Sequence, residues 1–154
     1  MTSKATRTAA LDAARKHVTT PPPRPWVILV VDDEPDILDS FKELLERSIP
    51  GVTVIVAASG RAGIEVLERE RVDLVMSDFK MPGMDGIEFL VQARRIRPRL
   101  PRIMFTAFAD EELARRAISE AVVDDFLSKN VDPEDMVRKV EALLRYEPAL
   151  PAGE

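Results

Sequence analysis

Between Trp26 and Tyr146, short apolar runs alternate with longer stretches whose apolar residues recur every three to four positions. The runs Val27–Val31, Thr53–Ala57, Leu74–Ser77, Ile103–Phe105 and Asp125–Ser128 are short and largely apolar, and Thr53–Ala57 is β-branched, so they predict strands. The stretches Pro35–Ser48, Arg61–Arg69, Ile87–Arg97, Asp110–Ala121 and Pro133–Tyr146 predict helices. Ile37, Phe41, Leu44 and Leu45 form the expected apolar face of the first helix, and Ala62, Ile64, Val66 and Leu67 that of the second. Punctuation agrees with these bounds. Pro35 suits a first helical turn, Pro50-Gly51 breaks the first helix, and Ser59 can cap the second. Pro98 and Pro101 end the third helix, while Asp132 caps the fifth ahead of Pro133.

Five strand–helix units in sequence imply a parallel sheet covered by helices on both faces, with right-handed crossovers. Periodicity alone leaves the strand order open. The folded segment is expected over 25–147. It is preceded by a flexible, basic, proline-rich tail (1–24) and followed by a short frayed tail (148–154).

Charge sharpens this division. The full chain of 154 residues has net charge −5, yet Met1–Arg24 carries five basic residues against the single acid Asp12. The body is therefore acidic and has no nucleic-acid footprint. The first segment lacks the apolar stretch of a secretory signal, and no run approaches the ~20 apolar residues that span a bilayer. With no cysteine, thiolate metal sites and disulfides are excluded. A cytoplasmic protein without direct nucleic-acid or membrane contact is expected.

The chemistry lies at the ends of the runs. The first leads into Asp32-Asp33, the third into Asp78, the fourth into Thr106 and the fifth into Lys129. In a parallel sheet these carboxyl ends share one edge, where open α/β folds bind ligands. Singly, each residue has an ordinary role: Asp32 as a helix cap, Asp78 as a turn residue, Thr106 as a strand end, Lys129 as a solvated charge. Together they form a set suited to phosphoryl chemistry. His17, the sole histidine, lies in the tail, and Trp26 can anchor the start of the first strand.

The ordered words Val31-Asp32-Asp33-Glu34, Ser77-Asp78, Met81-Pro82-Gly83-Met84-Asp85-Gly86, Thr106-Ala107 and Asp124-Asp125-Phe126-Leu127-Ser128-Lys129 closely resemble the receiver domain of two-component response regulators. The resemblance covers Trp26 to Tyr146. It implies a doubly wound, flavodoxin-like five-stranded sheet of order 2-1-3-4-5 with five helices. It also implies that Asp78 accepts a phosphoryl group from a sensor histidine kinase or histidine phosphotransfer protein. Asp33 would ligate Mg²⁺ directly, with Mn²⁺ as a substitute, and Asp32 would act mainly through water on the ion. The carbonyl of Lys80 would complete the set. Thr106 and Lys129 would contact phosphoryl oxygens, and Phe126 stands at the position of the family's switch aromatic, with a core aromatic as the alternative. Output would pass to a downstream effector protein, or to a homodimer, through Asp110–Ala121, strand five and Pro133–Tyr146.

Two departures stand out. Asn130 follows Lys129 where the family usually has proline, and Val122-Val123 replace a glycine before strand five. Lys80 and Phe108 lie at the rim of the site, where they can shield a phosphoryl group. Neither flank is long enough for an output domain, so a stand-alone receiver or a fragment of a larger regulator is expected. Two other functions fit less well. A pseudo-receiver normally loses an acid or the phosphoacceptor, and all are retained here. A phosphohydrolase of the haloacid-dehalogenase type usually carries an acid two residues after its nucleophile, where this chain has Lys80. No turnover of an external substrate is therefore expected.

Overall fold

The structure, a computed structural model, describes residues 26–107, 112, 116, 117, 119, 120 and 122–145. Among the described residues these elements follow one another: β1 (Trp26–Val31), α1 (Pro35–Ser48), β2 (Val52–Ala57), α2 (Gly60–Arg69), β3 (Leu74–Asp78), α3 (Gly86–Ile96), β4 (Arg102–Thr106), β5 (Asp125–Ser128) and α4 (Pro133–Arg145). The five strands form one parallel sheet in the order β2-β1-β3-β4-β5. The resemblance implied this order. Glu112, Arg116, Ala117 and Ser119, from the expected fourth helix Asp110–Ala121, are helical. The rest of that helix, apart from Glu120, lies outside the described residues, as do both tails, His17, Phe108 and the predicted last helical residue, Tyr146.

Both faces of the sheet are covered, so β3 and β4 are buried at every position. One cluster joins Ile28, Val30, Met76, Ile103 and Phe105 to α1 and α4. The other joins Leu29, Val31, Val75 and Met104 to α2 and α3. Side chains alternate between the two along each strand, as the pleat requires.

The predicted helix faces need adjustment. In α1, Leu38 is buried with Phe41 and Leu45, while Ile37 and Leu44 are half-buried at the edge of the same cluster. In α2, Gly63 and Leu67 are buried, and Ala62, Ile64 and Val66 are half-buried. A Cβ at Gly63 would lie 2.7 Å from the Phe89 ring and 3.0 Å from Val31, so hydrogen is the only side chain that allows this packing. Ser59 caps α2 as expected, its Oγ accepting from Ala62 N at 3.1 Å. Asp132 accepts from Glu134 N at 2.9 Å at the start of α4.

The segment without the expected glycine is closed by other bonds. Val122 and Val123 are buried, and Val122 N donates to Ala117 O at 2.9 Å, five residues back. A six-to-one bond of this kind ends helices in Schellman closures. Arg94 donates to Glu120 O at 2.9 Å, and the buried Arg102 donates from Nε to Val122 O at 2.7 Å. Arginines thus satisfy carbonyls left over at this helix end.

Candidate functional site: an acidic cluster at the carboxyl edge of the sheet

The crossovers from β1 and β3 depart to opposite faces: α1 packs in one cluster and α3 in the other. Between two such neighbours the strand order reverses, leaving a crevice at their carboxyl ends. Asp32 and Asp33 follow β1, and Asp78 ends β3. Side-chain oxygens of the three residues lie within 4.8 Å of one another. Asp32 and Asp78 are buried and Asp33 is exposed.

Each buried carboxylate has one oxygen engaged locally. Asp32 Oδ1 accepts from Glu34 N at 2.9 Å, shaping the turn into α1, where Glu34 itself makes no side-chain cap. Asp32 is therefore not the helix cap that its position suggested: the N-cap is Glu34, and Asp32 serves the turn before it together with the site. Asp78 Oδ1 accepts from Phe79 N at 2.8 Å. The second oxygens face inward. Lys129 Nζ lies 2.9 Å from Asp32 Oδ2, 3.4 Å from Asp78 Oδ2 and 3.8 Å from Glu34. The close approach to Asp32 Oδ2 lacks the direction of a hydrogen bond, so this buried oxygen is paired by charge alone.

These contacts set the electrostatics. Burial, reinforced by the Asp32 charge, raises Asp78 from 3.8 to about 6 against the opposing pull of Lys129. Burial acts to lower Lys129, but Asp32, Asp78 and Glu34 outweigh it and hold the ammonium above its usual range. Three clustered carboxylates facing one ammonium leave the site short of positive charge. Those residues fit a small, hard divalent cation, which takes oxygen ligands and keeps several waters.

Thr106 ends β4 at 9% exposure, and its carbonyl accepts from Lys129 N at 2.7 Å. Phe126 sits on β5 opposite Met104 and is half-buried against the α2–α3 cluster. Lys80 is exposed, beside a shallow depression of 410 Å³ lined also by Phe79, Met81, Pro82 and Asp85. The peptides of the described residues are all trans, Lys129-Asn130 included. Asn130 N donates to Ser128 Oγ at 3.1 Å, a bond that proline cannot make.

The residue readings overlooked Gly86. A Cβ there would lie 2.0 Å from the Asp78 carbonyl oxygen, and Gly86 N donates to Phe79 O at 2.7 Å. The start of α3 therefore presses against the backbone that carries Asp78. A glycine opening a helix directly after its cap, Asp85, was the available signal. Gly83, with φ of +77°, supplies the left-handed residue of the intervening turn.

Residues 28–141 match the response regulator receiver domain. The chain belongs to that family. An uncharacterised 14.6 kDa protein of Leptolyngbya boryana is 41% identical over 117 residues, covering 74% of this chain and 86% of that protein. The alkaline phosphatase synthesis transcriptional regulatory protein PhoP of Bacillus subtilis is 38% identical over 82% of this chain and 52% of its own length. The receiver chain thus spans about half of that regulator. Among solved structures, a CheY-like receiver domain protein from Methanospirillum hungatei superposes with a TM-score of 0.72 at 36% identity. That match covers 78% of this chain and 94% of the other. This receiver shares their five-stranded parallel fold.

Proposed function

We propose that this receiver takes a phosphoryl group on Asp78 in two-component signalling, with Mg²⁺ required and Mn²⁺ able to replace it. The observation that carries the reading is the Asp32–Asp33–Asp78 cluster facing a single ammonium, with one buried carboxylate oxygen left without a directed donor. The donor is a sensor histidine kinase, a histidine phosphotransfer protein or a small acyl phosphate. An Asp78 oxygen attacks phosphorus, the bond from phosphorus to the donor breaks, and the donor nitrogen or carboxylate keeps the electron pair.

Asp33, Asp78 and the Lys80 carbonyl would hold Mg²⁺ directly, with Asp32 at one remove. The ion supplies positive charge against the phosphoryl oxygens and the crowded carboxylates. The chain's own residues do the rest. Burial keeps Asp78 in a low-dielectric pocket, where phosphoryl charge is strongly felt. Lys129 moves from Asp32 Oδ2 to an incoming phosphoryl oxygen, and the Thr106 hydroxyl donates to another. Phe126 is the aromatic that answers Thr106. The contacts to Thr106 and Lys129 differ between the free and phosphorylated states, and only such differences shift a conformational equilibrium. The output surface comprises helix four, β5 and α4, offered to an effector protein or a second copy in the cytoplasm.

Intact-mass spectrometry after incubation with acetyl phosphate tests the reading. A phosphoryl adduct is expected with Mg²⁺, none after chelation, and none on Asp78→Asn. Undiminished labelling of Asp78→Asn would overturn the assignment. NMR with beryllofluoride, a phosphoryl mimic, tests the switch. Shifts confined to the metal site, with none in α4, would refute the proposed output route.

A further inference from the structure

We infer that Phe105 is a positioning residue for the Lys129 ammonium, in a site whose lysine loop is built without proline. The inference rests on the phosphoacceptor reading of Asp78. A long, flexible lysine side chain loses rotamer freedom when fixed, so an ammonium held beside two carboxylates needs support along its stem. In this receiver the backbone support is Lys129 N to Thr106 O at 2.7 Å and the turn closed by Asn130 N to Ser128 Oγ and Val131 N to Ser128 O. Those bonds fix the Cα of Lys129 and leave its four side-chain torsions open.

The Phe105 ring supplies the rest. Its centroid is 5.6 Å from Lys129 Nζ, within the range of cation–π attraction. The ring is fully buried and meets Phe41 of α1 edge-on, at 4.8 Å between centroids and 62° between planes. Phe105 pairs in register with Asp78 on one side and Leu127 on the other, so all three side chains share the α1–α4 face of the sheet. The carboxylates and the ring are thus on the same side, with the ammonium among them. Attraction to Asp32 Oδ2 alone would draw the ammonium away from Asp78, whereas a ring in register with Asp78 limits that travel. The ring therefore keeps the cation within reach of a phosphoryl group on Asp78.

A double-mutant cycle tests this. The rate of labelling by acetyl phosphate is measured for the full chain and for Phe105→Leu, Lys129→Met and the pair. Mg²⁺ affinity is followed alongside. Phe105→Leu should slow labelling by about three- to thirty-fold, the range of a desolvated cation–π contact, with Mg²⁺ affinity unchanged within twofold. In the Lys129→Met background the same substitution should have no further effect. Equal slowing in both backgrounds would assign Phe105 a packing role only and overturn the inference. Phe105→Met, which is ringless and adaptable in cores, carries the same test if the leucine variant does not fold. A second readout needs no phosphoryl transfer. The Lys129 ε-methylene protons should show an upfield ring-current shift that disappears in either variant, and ordinary shifts in the parent would also overturn the inference. A parent that shows the ring-current shift but takes no label would instead overturn the phosphoacceptor reading, leaving the ring–ammonium contact established.

Discussion

Replacing Asp78 by asparagine should stabilise the metal-free protein at pH 8 and leave its stability nearly unchanged near pH 4. In the folded protein, burial and the neighbouring Asp32 charge raise Asp78 from 3.8 to about 6. Between those values the native state holds a proton that the unfolded chain has lost. Stability therefore falls as pH rises through this window, and the loss is complete above about 6. Carrying a carboxyl from 3.8 to about 6 corresponds to about 3 kcal/mol. Asparagine matches the protonated acid in shape, still accepts from Phe79 N, and never ionises. The attraction to Lys129 that it forfeits is already counted, because that attraction opposes the rise. The variant should thus gain about 3 kcal/mol at pH 8, on the order of 10 °C in melting temperature for a domain of this size. Urea denaturation followed by circular dichroism, with a chelator present and repeated from pH 4 to pH 8, measures the gap. A variant no more stable than its parent at pH 8, or a gap of constant size across the series, would refute the electrostatic argument.

Other substitutions report on different parts of the fold. Mg²⁺ at a hundredfold excess over its dissociation constant should stabilise the parent by about 2.7 kcal/mol and Asp33→Ala far less, as read from melting curves. Gly86→Ala should cost about 3 kcal/mol in urea and slow labelling, because the added methyl meets the Asp78 carbonyl at 2.0 Å; a neutral result would mean that α3 shifts freely. Arg102→Met should cost about 2–3 kcal/mol by stripping donors from the Val122 and Leu100 carbonyls, and a loss near zero would show that water replaces them. Ser59→Ala should remove about 1 kcal/mol with the α2 cap, measurable as a lower urea midpoint.

The strands were legible because each is a short, largely apolar run set off by turn residues, and the observed bounds lie within one residue of those expected. The strand order came from the resemblance, since pairing depends on contacts far apart in sequence. Residues whose role depends on a neighbour's approach were not legible. Gly63 sits where the Phe89 ring and Val31 leave no room for a Cβ, and Leu38 is buried more deeply than Ile37 in the cluster that both join. The glycine expected before β5 is missing, and Arg94 and Arg102 come from other elements to satisfy carbonyls there. Within the site, the strand ends brought Asp32, Asp33, Asp78 and Lys129 to one edge, whereas Glu34, 3.8 Å from Lys129, carried no signal of its own. Sequence order could not show that Asp32 serves both the turn and the cluster, nor that Phe105 lies beneath the ammonium.

Alternation along the strands has a mechanical consequence. Asp78, Phe105 and Leu127 share the register that faces α1 and α4, and Lys129 reaches the same carboxylates. Met104 and Phe126 belong to the opposite cluster, and Thr106, two residues beyond Met104, follows their side. A group on Asp78 that engages both Lys129 and Thr106 therefore bridges the two faces at the sheet edge. In the present structure a backbone bond from Lys129 N to Thr106 O links these two residues directly. A ligand that pulls on both side chains acts on both hydrophobic clusters at once, and β5 is the strand they share, through Leu127 on one face and Phe126 on the other. Because β5 is an edge strand of only four residues, it is paired on one side alone. It is the element of the sheet least held by its neighbours, and so the one best placed to carry a change at Asp78 to the surface.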